Sequence, residues 1–225
     1  MIRGEVSVVI PVLNEEVCIT RNLEKLKNQK GNFEIIIVDG GSKDNTEKIA
    51  GKYGRVFRSR KGRGVQMNYG AGKAKGNILL FLHADTLLPE GAIKEVEKVV
   101  KEGYDGGRFR HSFDSKSLRL KLGSLFLNLG IMPFTFGDMG WFVTKRMFKK
   151  LKGYGEMPLM EDVDFAKRLS KEGRVILLKS KVVTSARRFM KYGITRQFLL
   201  DCMLLFLFFI NISPEKLSKL YEDIR

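Results

Sequence analysis

Short apolar runs alternate with amphipathic segments through the first half of the chain. Runs typical of strands that are buried on both faces cover residues 6–10, 33–38, 55–57 and 78–82. The first run ends at Pro11, and Asn14 is predicted to cap the helix that follows it. Helices are predicted between the runs, on the stripe of Ile19, Leu23 and Leu26 and then at about 44–53, 65–74 and 89–103. This alternation predicts an α/β fold, a mostly parallel sheet with helices on both faces.

The second half of the chain has a less regular pattern. A strand is predicted at 106–110, a loop that enters a strand at 137–143, and two short strands at 175–178 and 182–185. Leucines at 118, 122, 125 and 129 recur at helical spacing, and another helix opens at Glu161 and Asp162. A short helix begins at Pro214, with Ser213 as its N-cap. Because no linker or repeat interrupts the chain, we predict one domain over residues 1–225.

Residues 198–212 are almost entirely apolar. The segment includes Asp201 and is shorter than the roughly 20 residues that a membrane-spanning helix needs. It is therefore either a core helix or an interfacial helix that lies in the membrane surface. The basic residues at 187, 188, 191 and 196 slightly favour the second interpretation, a peripheral membrane contact.

The net charge narrows the possible partners. The chain carries 41 basic and 25 acidic residues, a formal net charge of +16, which attracts nucleic acid, anionic lipid or phosphorylated substrates. Because the basic residues are not interleaved with aromatic residues on one element, we expect no nucleic-acid binding. Cys18 and Cys202 suggest neither a disulfide framework nor a zinc site. Charged residues soon after Met1 argue against a signal peptide, so we expect a cytoplasmic protein, with the inner membrane face as a possible location.

Candidate chemistry is concentrated in four loops that follow predicted strands. They are Asn14–Glu15, 39–42, 61–64 and His83–Asp85, and the carboxyl ends of such strands form the ligand crevice of an open α/β sheet. Asp39 suits a base or ribose, the glycines beside it permit close approach, and Lys61 and Arg63 suit phosphates. A divalent cation on Asp85 would activate a diphosphate leaving group, although Asp85 alone is equally consistent with a helix cap.

Several common nucleotide-binding and hydrolase motifs are absent. No GxGxxG follows the first strand, and a Walker A loop ending at Lys73 would need glycine where Met67 stands. No GxSxG motif accompanies the two histidines, His83 and His111, so a serine-hydrolase triad is poorly supported.

Four motifs together resemble the family 2 glycosyltransferases of the GT-A fold. They are SVVIPVLNEE (7–16), VDGGSKDNT (38–46), AKGNILLFLHADT (74–86) and PLMEDVDF (158–165). The HADT motif and TSARR (184–188) resemble a smaller subgroup, some of whose members are assigned to arsenosugar biosynthesis. The resemblance implies a Rossmann-like nucleotide-sugar-binding half (1–103), an acceptor and catalytic half (104–190) and C-terminal helices (191–225).

The resemblance also implies site residues for an inverting transfer from a nucleoside-diphosphate sugar to an acceptor hydroxyl or phosphate. Asp162 would be the general base, and Glu161 beside it would raise the pKa of Asp162 or bind acceptor, although both also suit a helix N-terminus. Gly137 and Asp138 resemble an acceptor loop, while Trp141 would stack on a sugar or pack in the core. The acceptor would be a small molecule or a lipid phosphate. The predicted donor-binding set is Pro11, Asn14, Glu15, Asp39, Gly41, Ser42, Lys61, Arg63, Gly64, Asn68, Ala84, Asp85 and Arg187.

The predicted metal motif departs from the family pattern. The family commonly has two acidic residues separated by one residue, whereas this chain has His83 before Asp85. Either Asp85 holds Mn²⁺ or Mg²⁺ alone with the diphosphate, or His83 joins it and favours Mn²⁺. Arg187 and Arg188 are candidates for compensating positive charge on the leaving diphosphate.

Two other functions remain open from the sequence. A sugar-phosphate nucleotidyltransferase would need a loop rich in glycine and arginine after the first strand, where residues 11–14 read PVLN. A non-catalytic basic protein that binds membrane surfaces or nucleic acid would show salt-sensitive binding to polyanions and no nucleotide-sugar turnover.

Overall fold

The computed structural model describes residues 5–129 and 137–221. Its strands form one sheet in the order β3-β2-β1-β4-β7-β6-β8-β5. The strands are β1 Val6–Val12, β2 Phe33–Asp39, β3 Arg55–Arg58, β4 Ile78–Phe81, β5 Thr86–Leu87, β6 Gly106–Phe113, β7 Trp141–Thr144 and β8 Val175–Thr184. Strands β1 to β4 pair in parallel, as do β6 and β8, while β7 joins β4 to β6 by antiparallel pairing. The predicted mostly parallel α/β sheet is confirmed.

Helices cover both faces of this sheet. They are α1 Glu16–Lys27, α2 Thr46–Ala50, α3 Arg63–Lys73, α4 Ala92–Lys101, α5 Leu118–Leu127, α6 Lys145–Lys150, α7 Glu161–Glu172, α8 Arg187–Tyr192, α9 Ile194–Phe209 and α10 Pro214–Leu220. One core cluster holds apolar side chains of α1 and α4 against alternate residues of β1, β2 and β4. The other alternate residues of these strands pack with α3 and α7 on the opposite face. Both faces are buried, which is why the strands read as nearly continuous apolar runs.

The first strand continues past Pro11, contrary to the prediction. Pro11 and Val12 pair with Val38 and Asp39 of β2, while the pairing of β1 with β4 stops at Val9. The carbonyl of Val9 accepts the N–H of Leu82, and that of Val12 accepts the N–H of Gly40. Alternation therefore points the nitrogen of Pro11 to the side where β4 has already ended. A missing N–H costs nothing at that position.

Two other local predictions were wrong. Asn14 does not cap α1: it has a φ of 54°, and its side chain instead accepts the N–H of Lys43 at 2.8 Å. The two short strands predicted at 175–178 and 182–185 are one strand, β8, which ends at Thr184 and pairs with β6 along both segments, with a register shift between Arg108 and Arg110. The two-residue strand β5 was not predicted, and its pairing with the distant β8 explains why local sequence gave no signal.

The apolar C-terminal segment is packed in the core on one side and exposed on the other, and its contact with a membrane stays a prediction. Leu204 and Leu205 of α9 pack with α7 and α10, whereas Leu199 and Phe206 are exposed. Across 5–129 and 137–221, every helix is too short or too polar to cross a bilayer. The prediction for α10 is confirmed, with Ser213 at its N-cap position and Pro214 in its first turn.

The single-domain prediction covers residues 1–225, but residues 1–4, 130–136 and 222–225 lie outside the described part of the structure. The expectation that there is no signal peptide rests on Met1 and the residues after it, of which 1–4 also lie outside the described part. Within the described part, β7 of the second half pairs directly with β4 of the first half, so the two halves share one sheet. The single domain and its division at 103 and 190 stay predictions.

Candidate active site

A cleft of about 770 Å³ opens at the carboxyl ends of β1 and β4. Eleven of the predicted site residues line it: Pro11, Asn14, Glu15, Lys61, Arg63, His83, Asp85, Gly137, Asp138, Asp162 and Arg187. The sheet order explains this convergence, because adjacent parallel strands deliver their following loops to one edge. Asp85 comes from the loop after β4, and Asp162 comes from the start of α7. Carboxylates from both halves of the chain thus share one cleft.

Asp162 is held in a fixed orientation by backbone groups. Its Oδ2 accepts the N–H of Gly137 at 2.6 Å, and its Oδ1 accepts the N–H of Val163 at 2.8 Å. A Cβ on Gly137 would lie 2.9 Å from Nε2 of His83 and 3.1 Å from Oδ2 of Asp162, so a larger residue would disturb both side chains. Asp162 is 7% exposed and reaches the cleft. It is therefore a preorganised carboxylate with limited access to water.

Glu161 does not line the cleft, which argues against the expectation that it binds acceptor. Its side chain is 2% exposed, and its Oε1 lies 2.6 Å from Nε of Arg63. Burial opposes the charge on Arg63, but the neighbouring Glu161 and Asp162 outweigh it and raise the pKa of that guanidinium. Glu161 is thus sealed in an internal ion pair, where it fixes the first turn of α3 against α7.

Asp85 lies next to a basic side chain from the other end of the chain. Nη2 of Arg187 is 3.7 Å from Oδ2 of Asp85 and 2.6 Å from Oε2 of Glu15. Arg187 is about half exposed, so its guanidinium is in contact with solvent as well as with the two carboxylates. Arg188 points elsewhere and pairs with Asp201 of α9 at 3.0 Å. The two consecutive arginines both line the cleft but pair with different carboxylates.

Asp39 organises the loop that follows β2. It is 1% exposed and accepts the N–H groups of Gly41 and Ser42, at 3.2 Å and 3.0 Å to Oδ2. Gly41 has a φ of +98°, a conformation that glycine adopts without strain. The Oγ of Ser42 accepts the N–H of Asn14 at 2.9 Å, which ties this loop to the one after β1. The direct part that Asp39 would take in donor binding stays a prediction.

Other predicted site residues have packing roles instead of lining the cleft. Asn68 hydrogen-bonds to both backbone groups of Tyr154, and a Cβ on Gly64 would lie 2.5 Å from the carbonyl oxygen of Gly155. Ala84 is buried in the core between the sheet and α1. Trp141 is 3% exposed within the core cluster on the other face of the sheet, which corrects its predicted stacking on a sugar.

Several cleft residues were missed by the sequence reasoning. Gln66 of α3 donates to the carbonyls of Val12 and Val38 at 2.9 and 2.8 Å and so joins the ends of β1 and β2. A polar residue within an amphipathic helix gives no sequence signal for this role. Aromatic and leucine side chains line another part of the cleft, called the apolar end below, although the charged Arg188, Lys191 and Asp201 also line the cleft. The aromatic and leucine residues are Phe113, Phe126, Leu127, Leu159, Phe189, Phe198, Leu204, Leu205 and Tyr221.

Asp138 faces a concentration of positive charge. Burial alone would raise the pKa of Asp138, but His111, whose Nε2 is 3.4 Å from Oδ2 of Asp138, lowers it by charge and hydrogen bonding. His83 and Arg188 lower it further, so the pKa of this carboxyl lies well below its usual range.

A pH-dependent contribution to stability follows for Asp138. Because its pKa is depressed in the folded state, the carboxylate stabilises the fold above the ordinary pKa of 3.8, and this contribution is lost as the pH falls below that value. We expect Asp138→Asn to be less stable than the parent at neutral pH, with the difference shrinking below about pH 4. Urea unfolding at a series of pH values measures the difference, and a gap that stays constant into the acid range would contradict this account.

The cleft offers few protein ligands for a divalent cation. Asp85 offers one hard oxygen ligand, and His83 lines the same cleft, although its Nε2 faces Gly137 and Asp162. Among the described residues, no group of three or more His, Cys, Asp or Glu could hold a metal ion. A cation that takes its remaining ligands from a diphosphate and water nevertheless fits Asp85, because Mg²⁺ sites often combine one or two carboxylates with substrate phosphates.

Comparison with protein families gives one match that covers most of the chain. The model described as glycosyl transferase family 2 matches residues 7–152. A relative in Methanocaldococcus jannaschii, itself uncharacterised, is 35% identical over 157 residues, which are 63% of this chain and 61% of that protein. The undecaprenyl-phosphate 4-deoxy-4-formamido-L-arabinose transferase of Proteus mirabilis is 31% identical over 152 residues, 61% of this chain and 46% of that protein. The chain thus spans less than two thirds of the length of either relative.

Solved structures show the same fold. A mannosyltransferase from Pyrobaculum calidifontis, solved with GDP-Man and Mn²⁺, aligns with a TM-score of 0.69 at 17% identity. The alignment covers 91% of this chain and 62% of the mannosyltransferase. At this level of identity the likeness establishes the architecture of the sheet and its flanking helices, the GT-A type.

Proposed function

The chain belongs to glycosyltransferase family 2, and on that premise we propose that it transfers a sugar, with inversion, from a nucleoside-diphosphate sugar to an acceptor hydroxyl or phosphate. The observation that carries the proposal is the shared cleft of Asp85 and Asp162. One carboxylate, Asp85, stands beside Arg187, a basic side chain suited to a diphosphate, and the other, Asp162, lines the same cleft. The similarity to a mannosyltransferase solved with GDP-Man supports a nucleotide-sugar donor.

The proposed reaction is a single displacement at the anomeric carbon. The acceptor hydroxyl oxygen forms a bond to that carbon while the bond to the diphosphate oxygen breaks and the nucleoside diphosphate leaves. Asp162 accepts the hydroxyl proton, because its two backbone hydrogen bonds hold a carboxylate oxygen in a fixed direction within the cleft. Attack opposite the leaving group inverts the configuration at the anomeric carbon.

Donor binding is assigned to the loops at the carboxyl ends of β1 to β4. Lys61 and Arg187 neutralise the diphosphate, and the loop of Asp39, Gly41 and Ser42 contacts the nucleoside. Asp85 would hold a divalent cation, Mn²⁺ or Mg²⁺, which supplies Lewis-acid stabilisation of the departing diphosphate when bound. The mannosyltransferase structure that contains Mn²⁺ supports this assignment.

Donor identity can be found by thermal shift. UDP-, GDP- and dTDP-sugars are each tested with and without Mn²⁺ and Mg²⁺, since a ligand that binds the folded state raises Tm by mass action. For the donor that raises Tm, NMR of the product then reports the anomeric configuration. Retention of configuration, or release of pyrophosphate from a nucleoside triphosphate and a sugar phosphate, would overturn the proposal. The second result would identify a nucleotidyltransferase.

Substitution of Asp85 tests the metal assignment. We expect Asp85→Asn to remove the additional Tm shift that Mn²⁺ gives with the donor and to weaken donor binding by about tenfold or more, because the neutral amide is a poor ligand for a hard cation. Thermal shift with the donor and Mn²⁺ measures the first effect, and titration calorimetry measures the donor affinity. Glu47→Gln is the matched control, because Glu47 is a surface carboxylate paired with Arg58 outside the cleft. If Mn²⁺ still gives the additional Tm shift with the donor in Asp85→Asn, the assignment of Asp85 as the metal ligand is refuted.

A lipid phosphate is the acceptor class that the lining of the cleft favours. Aromatic and leucine side chains of the cleft suit an acyl or prenyl chain better than a free sugar, and Arg188 and Lys191 in the same lining suit a phosphate. The Proteus mirabilis relative is named for transfer to undecaprenyl phosphate. We accordingly propose a peripheral membrane contact through residues 198–212, whose exposed apolar side chains include Leu199 and Phe206. The HADT and TSARR motifs support membership of the narrower subgroup that they resemble.

A further inference from the structure

Helix α5 has an apolar face on each of its two sides. Leu120, Ser124 and Leu127 are buried against β6, α8 and α9. Two residues along an α-helix rotate a side chain by about 200°. Leu118 and Leu122, each two residues from Leu120, therefore point away from the protein, and they are 69% and 57% exposed. The inward face explains the packing of α5, and the leucines of the outward face are left exposed.

The outward face of α5 forms a continuous apolar surface, the α5 stripe. Its members are Leu118, Leu122, Leu125, Phe126 and Leu129, all at least 45% exposed. Helix α1, by contrast, places Arg21, Glu24 and Lys25 outward. Contiguous exposed apolar patches of this kind mark interaction sites.

The charged residues within 115–129 are all basic, and exposed Asp114 lies just before this range. Exposed Arg119 and Lys121 flank it, exposed Lys116 precedes it, and residues 115–129 contain no carboxylate. An apolar face with basic flanks is typical of a helix that lies in a membrane interface, with leucines in the acyl boundary and basic groups among anionic head groups. The formal net charge of +16 acts in the same direction.

The stripe also borders the mouth of the cleft. Phe126 belongs to the stripe and lines the cleft, and a Cβ on Gly123 of α5 would lie 2.2 Å from the ring of Phe198 in α9. Phe198 lines the same cleft. A surface that covers the stripe would therefore lie beside the apolar end of the cleft.

We propose that the α5 stripe docks the protein on the surface of a membrane that contains anionic phospholipid. The proposal deepens the proposed function, since it explains how a lipid acceptor in the bilayer reaches the apolar end of the cleft. A second copy of the chain fits the stripe less well. A ten-residue helix is about 15 Å long, and its one face offers much less than the roughly 800 Å² per partner that specific protein interfaces bury.

Vesicle flotation of the full chain tests the docking. With vesicles of equimolar phosphatidylcholine and phosphatidylglycerol, we expect binding that weakens with salt and that is much weaker on pure phosphatidylcholine. The double variant L122Q/L125Q should lower the partition coefficient by about tenfold or more. Val17→Gln is the matched control, because Val17 is an apolar residue of α1 that is 91% exposed and lies outside the stripe. This variant should bind vesicles as the parent does.

Other results would overturn the proposal. The first is a parent protein that does not bind the vesicles, and the second is a variant L122Q/L125Q that binds them as the parent does. The third is a parent that does not bind vesicles but sediments as a dimer, and that L122Q/L125Q converts to a monomer. Phe206→Gln tests α9, and a loss confined to that variant would place the docking on α9 instead. Donor-dependent Tm shifts are measured on the same variants. Vesicle binding without any donor binding would contradict the proposed function alone, and donor binding without vesicle binding would contradict the docking alone.

Discussion

Replacing Asp162 with Asn is expected to lower the turnover number on an acceptor hydroxyl by about 10³-fold while donor binding stays near that of the parent. Loss of a positioned general base typically costs 10² to 10⁴ in rate, and the fixed orientation of Asp162 places its contribution in that range. The asparagine oxygen can still accept the N–H of Gly137, which Asp162 accepts at 2.6 Å, so the loop keeps its anchor. Release of nucleoside diphosphate measures turnover, and the donor-dependent Tm shift reports binding.

Asp164→Asn is the matched control for Asp162→Asn. Asp164 is also an acidic residue in the first turn of α7, but it pairs with Arg168 at 2.7 Å and does not line the cleft. Any loss caused by the helix N-terminus or by net charge should therefore appear in both variants, and we expect turnover in Asp164→Asn within about twofold of the parent. Turnover of Asp162→Asn near that of the parent, on an acceptor hydroxyl, would refute the assignment of the base. An acceptor phosphate carries no proton to remove, so a much smaller loss on a lipid phosphate would identify that acceptor class.

The sequence predicted the position of a site residue where that residue directly follows a strand of the parallel sheet. Asp85 follows a buried strand, and the carboxyl ends of parallel strands meet at one edge of a sheet, so its place in a cleft could be predicted. Asp162 could be placed only through the family resemblance, because its neighbours in sequence equally suit an ordinary helix start. The packing of Trp141 in the core was one of two interpretations, and only the coordinates decide between them.

Long-range pairings account for most of what the sequence did not reveal. Arg63 and Glu161 are separated by 98 positions, and no local pattern distinguishes their ion pair from two cleft-facing charges. The position of Pro11 in β1 depends on where β4 ends, which is a property of the sheet and not of the strand. The leucine spacing in α5 predicted a helix, but periodicity alone does not say which apolar side faces the core.

Replacing Arg63 with Met is expected to lower the free energy of unfolding by about 3 kcal/mol. Removing one partner of a buried ion pair typically costs 3–5 kcal/mol because the other charge remains buried without compensation. The side chain of Glu161 is 2% exposed, so its carboxylate cannot turn to solvent without moving α7. Arg63 is 25% exposed, which places the expected loss at the lower end of that range. Urea denaturation at neutral pH measures it.

The double variant R63M/E161L separates the ion pair from any contact of Arg63 with the donor. Without either charge, the stability should recover most of the loss, since apolar replacements of a buried pair are often neutral or better. Arg58→Met is the surface control: Arg58 is 74% exposed and pairs with Glu47, and little or no change in stability is expected. Donor affinity is then measured in the stable double variant to test the predicted contact of Arg63 with the donor phosphates. An affinity equal to that of the parent would show that Arg63 only pairs with Glu161 and does not bind the donor. A double variant as unstable as Arg63→Met would instead show that packing at α3, and not the buried charge, governs this part of the fold.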